Sequence, residues 1–170
     1  MLKFKLYLDK DSEEIWLKEM AQKGWALKKF FLGFYTFEEC APGEYNYQID
    51  LLDNWTGNKR DFASFMEESG VEMVSQWYRW VYLRKKSSEG PFEMYTDLES
   101  KIDQHDRMKK FFQLGLIIET LCLCVELFGT ITTGGKLFVF DVILGVFVLV
   151  FLRMVWKCKW KIEQLKRDIS

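Results

Sequence analysis

A chain of 170 residues, 49% apolar and 29% charged, has room for one soluble domain and a membrane anchor, and its composition excludes intrinsic disorder. The near balance of 24 basic and 25 acidic residues conceals a mosaic: residues 1–110 hold 17 and 20, residues 111–156 hold 2 and 3, and residues 157–170 hold 5 and 2. A net-acidic front part excludes a basic nucleic-acid module.

In chain order, Phe4, Leu6 and Leu8 alternate with Lys3, Lys5 and Asp9, which predicts a strand with one buried face. Ser12 is the expected N-cap of a helix with Glu13 and Glu14 in its first turn and Trp16, Leu17, Met20 and Ala21 as its apolar stripe. Gly24 supplies the left-handed stop. Residues 25–30 and 34–39 flank Gly33 as a hairpin. After Pro42-Gly43 the order returns. Tyr45, Tyr47, Ile49 and Leu51 alternate as a strand, with Asp50 and Asp53 at its end set to cap the next turn. A helix over 58–69 places Phe62, Phe65 and Met66 on one face and stops at Gly70, and 71–76 with 79–85 forms a second hairpin. A shift of 46 positions lays Met20 on Met66, Gly24 on Gly70 and Phe34 near Trp80. The expected fold class is α+β: a duplicated βαββ domain over residues 1–86, with an antiparallel sheet and both helices on one face.

Residues 87–96 read as a Ser/Gly/Pro linker with a short extended piece, and 97–110 as a polar juxtamembrane helix running into the first of two apolar spans, 111–128 and 137–156. Each span can cross a hydrocarbon core of about 30 Å. The second should insert unaided, whereas the first must offset Glu119 near its middle, at up to roughly 2.5–3.5 kcal/mol for a central charge. The stretch 129–136 allows only a tight reversal, so a transmembrane helical hairpin (111–156) and a basic tail (157–170) are expected. Lys101, Arg107, Lys109 and Lys110 precede the first span, and Arg153, Lys157, Lys159, Lys161, Lys166 and Arg167 end or follow the second, against Lys136 alone between them. That asymmetry predicts a multi-pass protein of the cell membrane with both termini cytoplasmic.

Several residues together carry a resemblance. The order is Gly24-Trp25, Gly33, Tyr35, Phe37 and Glu38, then Cys40-Ala41-Pro42-Gly43-Glu44-Tyr45 with Tyr47 and Asp50, a helix ending at Gly70, and Trp80, Tyr82 and Arg84. This resembles the uncharacterised bacterial family called domain of unknown function 2812, over about residues 3–86, and the trailing spans are similar to that family's architecture. Val71 departs from it, standing where a second Gly-Trp pair is expected. The resemblance implies a regulatory or sensing role, since members are often encoded beside PadR-type transcription regulators; it implies no catalytic residue.

The chain is poor in the groups an enzyme needs. Its single histidine, His105, lies in the charged stretch before the membrane, its four cysteines lack metal-ligand or redox spacing, and no nucleotide-binding or nucleophile motif is present. The expectation is a non-enzymatic protein with no cofactor and no metal. The sharpest anomaly is Glu119, Glu126 and Asp141 inside the spans. Glu119 and Glu126 share a helix face, Glu126 and Asp141 come level in an antiparallel hairpin, and either the acids are neutral or they pair with a group outside it. They are candidate membrane-interface or ligand residues. Among the many aromatic side chains of the domain, Trp77, Tyr78, Trp80 and Tyr82 are a candidate partner-binding surface. The expected partners are the membrane and a protein partner or second copy, without direct nucleic-acid contact. The expected function is a membrane-anchored regulatory or sensing protein whose cytoplasmic domain binds a partner, PadR-type regulators being the implied class. The alternative is a small accessory subunit of a membrane transporter or immunity complex.

Overall fold

Asp9, not Ser12, caps the first helix, α1 (Lys10–Gln22): its carboxylate accepts the Ser12 backbone N–H at 3.4 Å and the Ser12 hydroxyl at 2.7 Å, so Ser12 falls inside the first turn. The structure is a computed structural model and describes residues 1–7, 9–52, 59–95, 97–132 and 138–168. The chain divides into two units, Met1–Thr96 and Asp97–Ser170.

In the first unit the elements are β1 (Leu2–Phe4), α1, β2 (Trp25–Phe31), β3 (Phe34–Glu39), β4 (Tyr45–Leu51), α2 (Lys59–Glu68), β5 (Val71–Trp77) and β6 (Trp80–Lys86), a mixed α+β fold. The strands form two antiparallel three-stranded sheets, ordered β1-β3-β2 and β4-β6-β5. The 46-residue repeat holds in the backbone: Trp25↔Glu39 and Phe31↔Phe34 become Val71↔Lys85 and Trp77↔Trp80, and the irregularity between Leu27 and Lys29 returns between Met73 and Ser75. Each hairpin turns through two residues, the first of which is a left-handed non-glycine, Leu32 (φ 47°) or Tyr78 (φ 55°). Gly33 (φ 80°) completes the first turn in the same left-handed region, which its lack of a side chain permits. The lead strands are offset by one position, so Leu2 and Phe4 correspond to Ile49 and Leu51.

The sheets meet along β2 and β5 through a side chain rather than a ladder: Ser75 Oγ accepts from Phe30 N at 3.0 Å and donates to Phe30 O at 3.2 Å. One core joins Leu17, Met20 and Ala21 of α1 with Leu27, Phe30, Tyr35 and Phe37 of the first sheet and Tyr47, Ile49 and Tyr82 of the second. A second core sets Met66 of α2 with Val71, Val81 and Leu83. Tyr82 and Val81 are neighbours along β6 and point to opposite faces, so the two helices cover opposite faces of the second sheet and not one face of a single sheet.

Other expectations are corrected on the same physical grounds. Phe4 (59% exposed) and Leu6 (71%) lie on no buried face, since α1 lies on the Lys3 side of β1 and no helix covers the side that carries Phe4; Leu8 lies outside the described residues. Phe65 (61% exposed) points away from the Met66 side of α2, and position 58 lies outside the described residues. Asp50 is buried and bonded to Tyr95 instead of capping a turn, and Asp53 again lies outside them. The supposed linker is partly docked, with Phe92 and Met94 packed on the second core.

The second unit is α3 (Leu98–Thr132) and α4 (Phe138–Arg167), both long and apolar enough to cross a membrane. The polar stretch from Leu98 runs without a break into the apolar one, and the basic tail is helical through Arg167. Of the expected reversal, 129–132 is still helix and 133–137 lies outside the described residues. The helices pack closely: a Cβ added at Gly115 would stand 2.6 Å from the Phe151 ring. Positions whose numbers sum to about 266 therefore lie level, because both helices rise about 1.5 Å per residue.

Candidate functional site

Glu13 and Glu14, adjacent on α1, bind the two repeats together. Glu13 Oε1 accepts Tyr35 Oη at 2.6 Å from the first sheet and Tyr82 Oη at 2.8 Å from the second. Glu14 Oε1 accepts the Ile49 backbone N–H at 2.7 Å and lies 3.3 Å from Lys10 Nζ. Burial raises both carboxyls above their ordinary value, against the pull of the tyrosine hydroxyls on Glu13 and of Lys10 on Glu14. Burial first, and the Glu13 charge beside them, hold the Tyr35 and Tyr82 hydroxyls far above the usual tyrosine range, so both remain donors. Their protons are committed to one carboxylate within the core, which clasps the two repeats together. Arg84 adds a second tie: it reaches Glu72 at 2.7 and 3.0 Å, the Leu27 carbonyl at 3.2 Å and Glu38 at 3.4 Å, and lies over the Tyr45 ring.

Gln48 and Asp50, two apart on β4, hold the segment that leads out of the domain. Gln48 Nε2 donates to Phe92 O and its Oε1 accepts from Met94 N, both at 2.9 Å, so one side-chain amide imitates a strand partner. Tyr95 Oη donates to Asp50 Oδ2 at 2.6 Å.

The three span acids are brought to one end of the hairpin only in part. Glu126 and Asp141 come level, while Glu119 lies about seven residues, roughly 10 Å, along the axis and faces the neighbourhood of Phe147 and Val148. Asp141 is buried, and its Oδ1 has no hydrogen-bond partner among the described residues. Glu119 and Glu126 are half-buried and neither has an ion pair there. A carboxylate without a partner on a helix of this apolarity is costly as an anion.

The aromatic set does not form one surface. Tyr82 is a core residue, withdrawn by its bond to Glu13; Trp77 and Trp80 are half-buried against the same core; Tyr78 alone is exposed. The larger bare apolar group lies at the other hairpin, where Leu2, Phe4, Leu6, Phe31, Leu32 and Phe34 are each 46–71% exposed. Sequence reasoning passed over it because alternation marks an apolar face without saying what covers it. Among the described residues no cluster of His, Cys, Asp and Glu could hold a metal ion.

The family model described as Protein of unknown function (DUF2812) matches residues 9–117, from α1 through both repeats and the docked segment into α3. No curated protein and no solved structure matches the chain.

Proposed function

From the premise that this chain belongs to the DUF2812 family, whose function is unknown, we propose that it is a non-enzymatic membrane-anchored regulatory or sensing protein. Its α+β domain captures a protein partner in the cytoplasm. The α3–α4 hairpin anchors it in the cell membrane with both termini cytoplasmic, as the lysine and arginine flanks favour. The observation that carries this reading is the hairpin itself: its most apolar stretches are almost wholly uncovered, as in lipid and unlike a core helix, and the Asp141 Oδ1 within it finds no partner among the described residues. The resemblance to a family encoded beside PadR-type regulators makes such a regulator the partner to look for. Capture would hold it at the membrane, and a signal that shifts the hairpin would release it.

The buried Asp141 Oδ1, without a hydrogen-bond partner among the described residues, favours a second reading, an accessory subunit whose acids pair with a basic residue in a larger partner's span. Gentle detergent extraction from the native cells, with mass and partner identification for the wild type and Glu119→Gln, separates the two. A soluble regulator recovered with both proteins supports capture by the domain. A membrane partner lost in Glu119→Gln supports the accessory subunit, and recovery of the chain in the soluble fraction sinks both.

A further inference from the structure

We propose that the tip of the first hairpin is a second membrane contact, one that binds the headgroup layer of an anionic bilayer. The proposal rests on the reading of α3 and α4 as a membrane anchor. Four of the six side chains share one face of the first sheet: Leu2 stands opposite Thr36, and Phe4 and Phe31 both stand opposite Phe34, with the Phe4 and Phe34 rings 4.8 Å apart. Leu6 lies against Gly33 and Leu32 forms the tip. At about half exposure, three aromatic side chains of about 150–250 Å² each leave roughly 300 Å² bare, and the three leucines carry the patch toward the upper end of what a monomeric soluble protein exposes.

Three observations point to lipid. First, the counterparts of Leu2 and Phe4 in the other repeat, Ile49 and Leu51, are 2% and 0% exposed, so the bare face is one that elsewhere in this same fold is covered. Second, Leu32 holds a left-handed backbone (φ 47°) with its side chain half exposed. Tyr78 holds the same conformation in the other hairpin, so the strain is common to both turns; at the first it carries an aliphatic side chain into solvent and extends the bare patch to the tip. Third, residues 1–7 and 28–36 hold four lysines and no acid, although residues 1–110 are net acidic; Lys3 and Lys5 lie on the α1 side of β1, at Met20 and over the Tyr7 and Trp16 rings, and Lys28 pairs with Glu38 at 3.5 Å. Lys29 stands on the patch face itself, opposite Thr36. Glu38 is taken up by Lys28 and Arg84, and it and Glu39 lie about 13–17 Å along β3 from Phe34 at the rise of a strand, so neither faces Lys29. Lys29 beside aromatic and aliphatic side chains complements an anionic lipid surface, whereas two copies set face to face would bring their Lys29 charges together.

The test uses the full chain, one copy per nanodisc, with phosphatidylglycerol in phosphatidylcholine and a photoreactive diazirine lipid labelled near its headgroup. Adducts on residues 1–7 and 29–35 are expected in addition to those on the spans, with a yield about fivefold lower in Lys29→Gln. The same drop is expected in discs of phosphatidylcholine alone. Adducts confined to 111–156 would overturn the tip contact and leave the anchor standing; no adducts anywhere would overturn the anchor as well. Equal labelling of the tip in neutral discs would overturn the anionic assignment. Shielding of the tip only in discs loaded with two copies would make the occupant a second chain, and would also overturn it.

Discussion

The two βαββ repeats share strand register, bulge position and turn length, yet the lead strand of one is buried and that of the other is bare. Duplication fixes the backbone; burial depends on what the neighbouring helix can offer. α1 has two working faces. Met20 packs on its own hairpin, while Glu14 reaches across to β4 and Glu13 clasps both sheets. In α2 the positions equivalent to Leu17 and Ala21 are Ala63 and Glu67, so the stripe with which α1 covers β4 has no apolar equivalent on α2 to cover β1. The bare strand is therefore a consequence of sequence divergence in a helix about 60 residues away, and it leaves one repeat structural and the other available.

The strongest challenge to that contrast is a matched pair of truncations. Leu51→Ala should lower unfolding stability by about 2–5 kcal/mol, as buried leucines do, whereas Phe4→Ala at the corresponding position should cost less than about 1 kcal/mol; denaturant titration of the full chain in detergent reads both. Similar losses would show that β1 is covered in the free protein. Next comes the clasp. Glu13→Ala strands two buried tyrosine hydroxyls and should cost about 2–4 kcal/mol, with loss of the near-ultraviolet signal of the joined aromatic core, in which the Phe30 ring lies 4.9 Å from Tyr35 and 4.5 Å from Tyr82. A smaller loss with the aromatic signal intact would mean that the sheets are held without it.

A smaller effect has the opposite sign. Leu32→Asn should stabilise the protein in detergent by about 0.5–1 kcal/mol, because asparagine tolerates the left-handed turn, and the same change should weaken membrane labelling at the tip. Stabilisation without that weakening would detach the strain from the contact. The smallest is a slope with pH. Burial holds the Glu13 carboxyl above its ordinary 4.5 in the folded state, so folding takes up a proton there. That contribution is complete below 4.5 and is lost as pH rises through the folded value. Glu13→Gln, which keeps an acceptor oxygen, should therefore show a flatter dependence of the denaturation midpoint on pH than the wild type above about 4.5; parallel curves would place the titration on another group.

Much of the architecture is legible in the sequence because it is local. The alternation of Tyr45, Tyr47, Ile49 and Leu51, the glycines that end both helices and the uninterrupted apolar spans each declare an element, and the 46-residue offset declares the duplication. What is not legible is set by distant partners. Asp9 and Ser12 are both good cap formers, and only the backbone path chooses Asp9. The joint between the sheets depends on Ser75 meeting Phe30, 45 positions away, and the placing of the helices on opposite faces depends on α1 packing on Tyr82 and α2 on Val81. The docking of 92–95 depends on Gln48 acting as a strand, which no periodicity reveals. In the candidate sites the same division holds. Charges within apolar runs announce Glu119, Glu126 and Asp141, whereas the withdrawal of Tyr82 into the core and the exposure of Phe4 and Leu32 follow from α1 and α2, not from the strands that carry those residues.

The most direct measurement is hydrogen exchange of the full chain in native membranes and after detergent extraction, comparing peptides over residues 1–7 and 31–34 with those over 45–51. Slower exchange in membranes is predicted at the first two segments, with no change at the third. Equal exchange at all three in both settings, or a change at 45–51 as large as that at 1–7, would contradict the division into one covered and one available repeat.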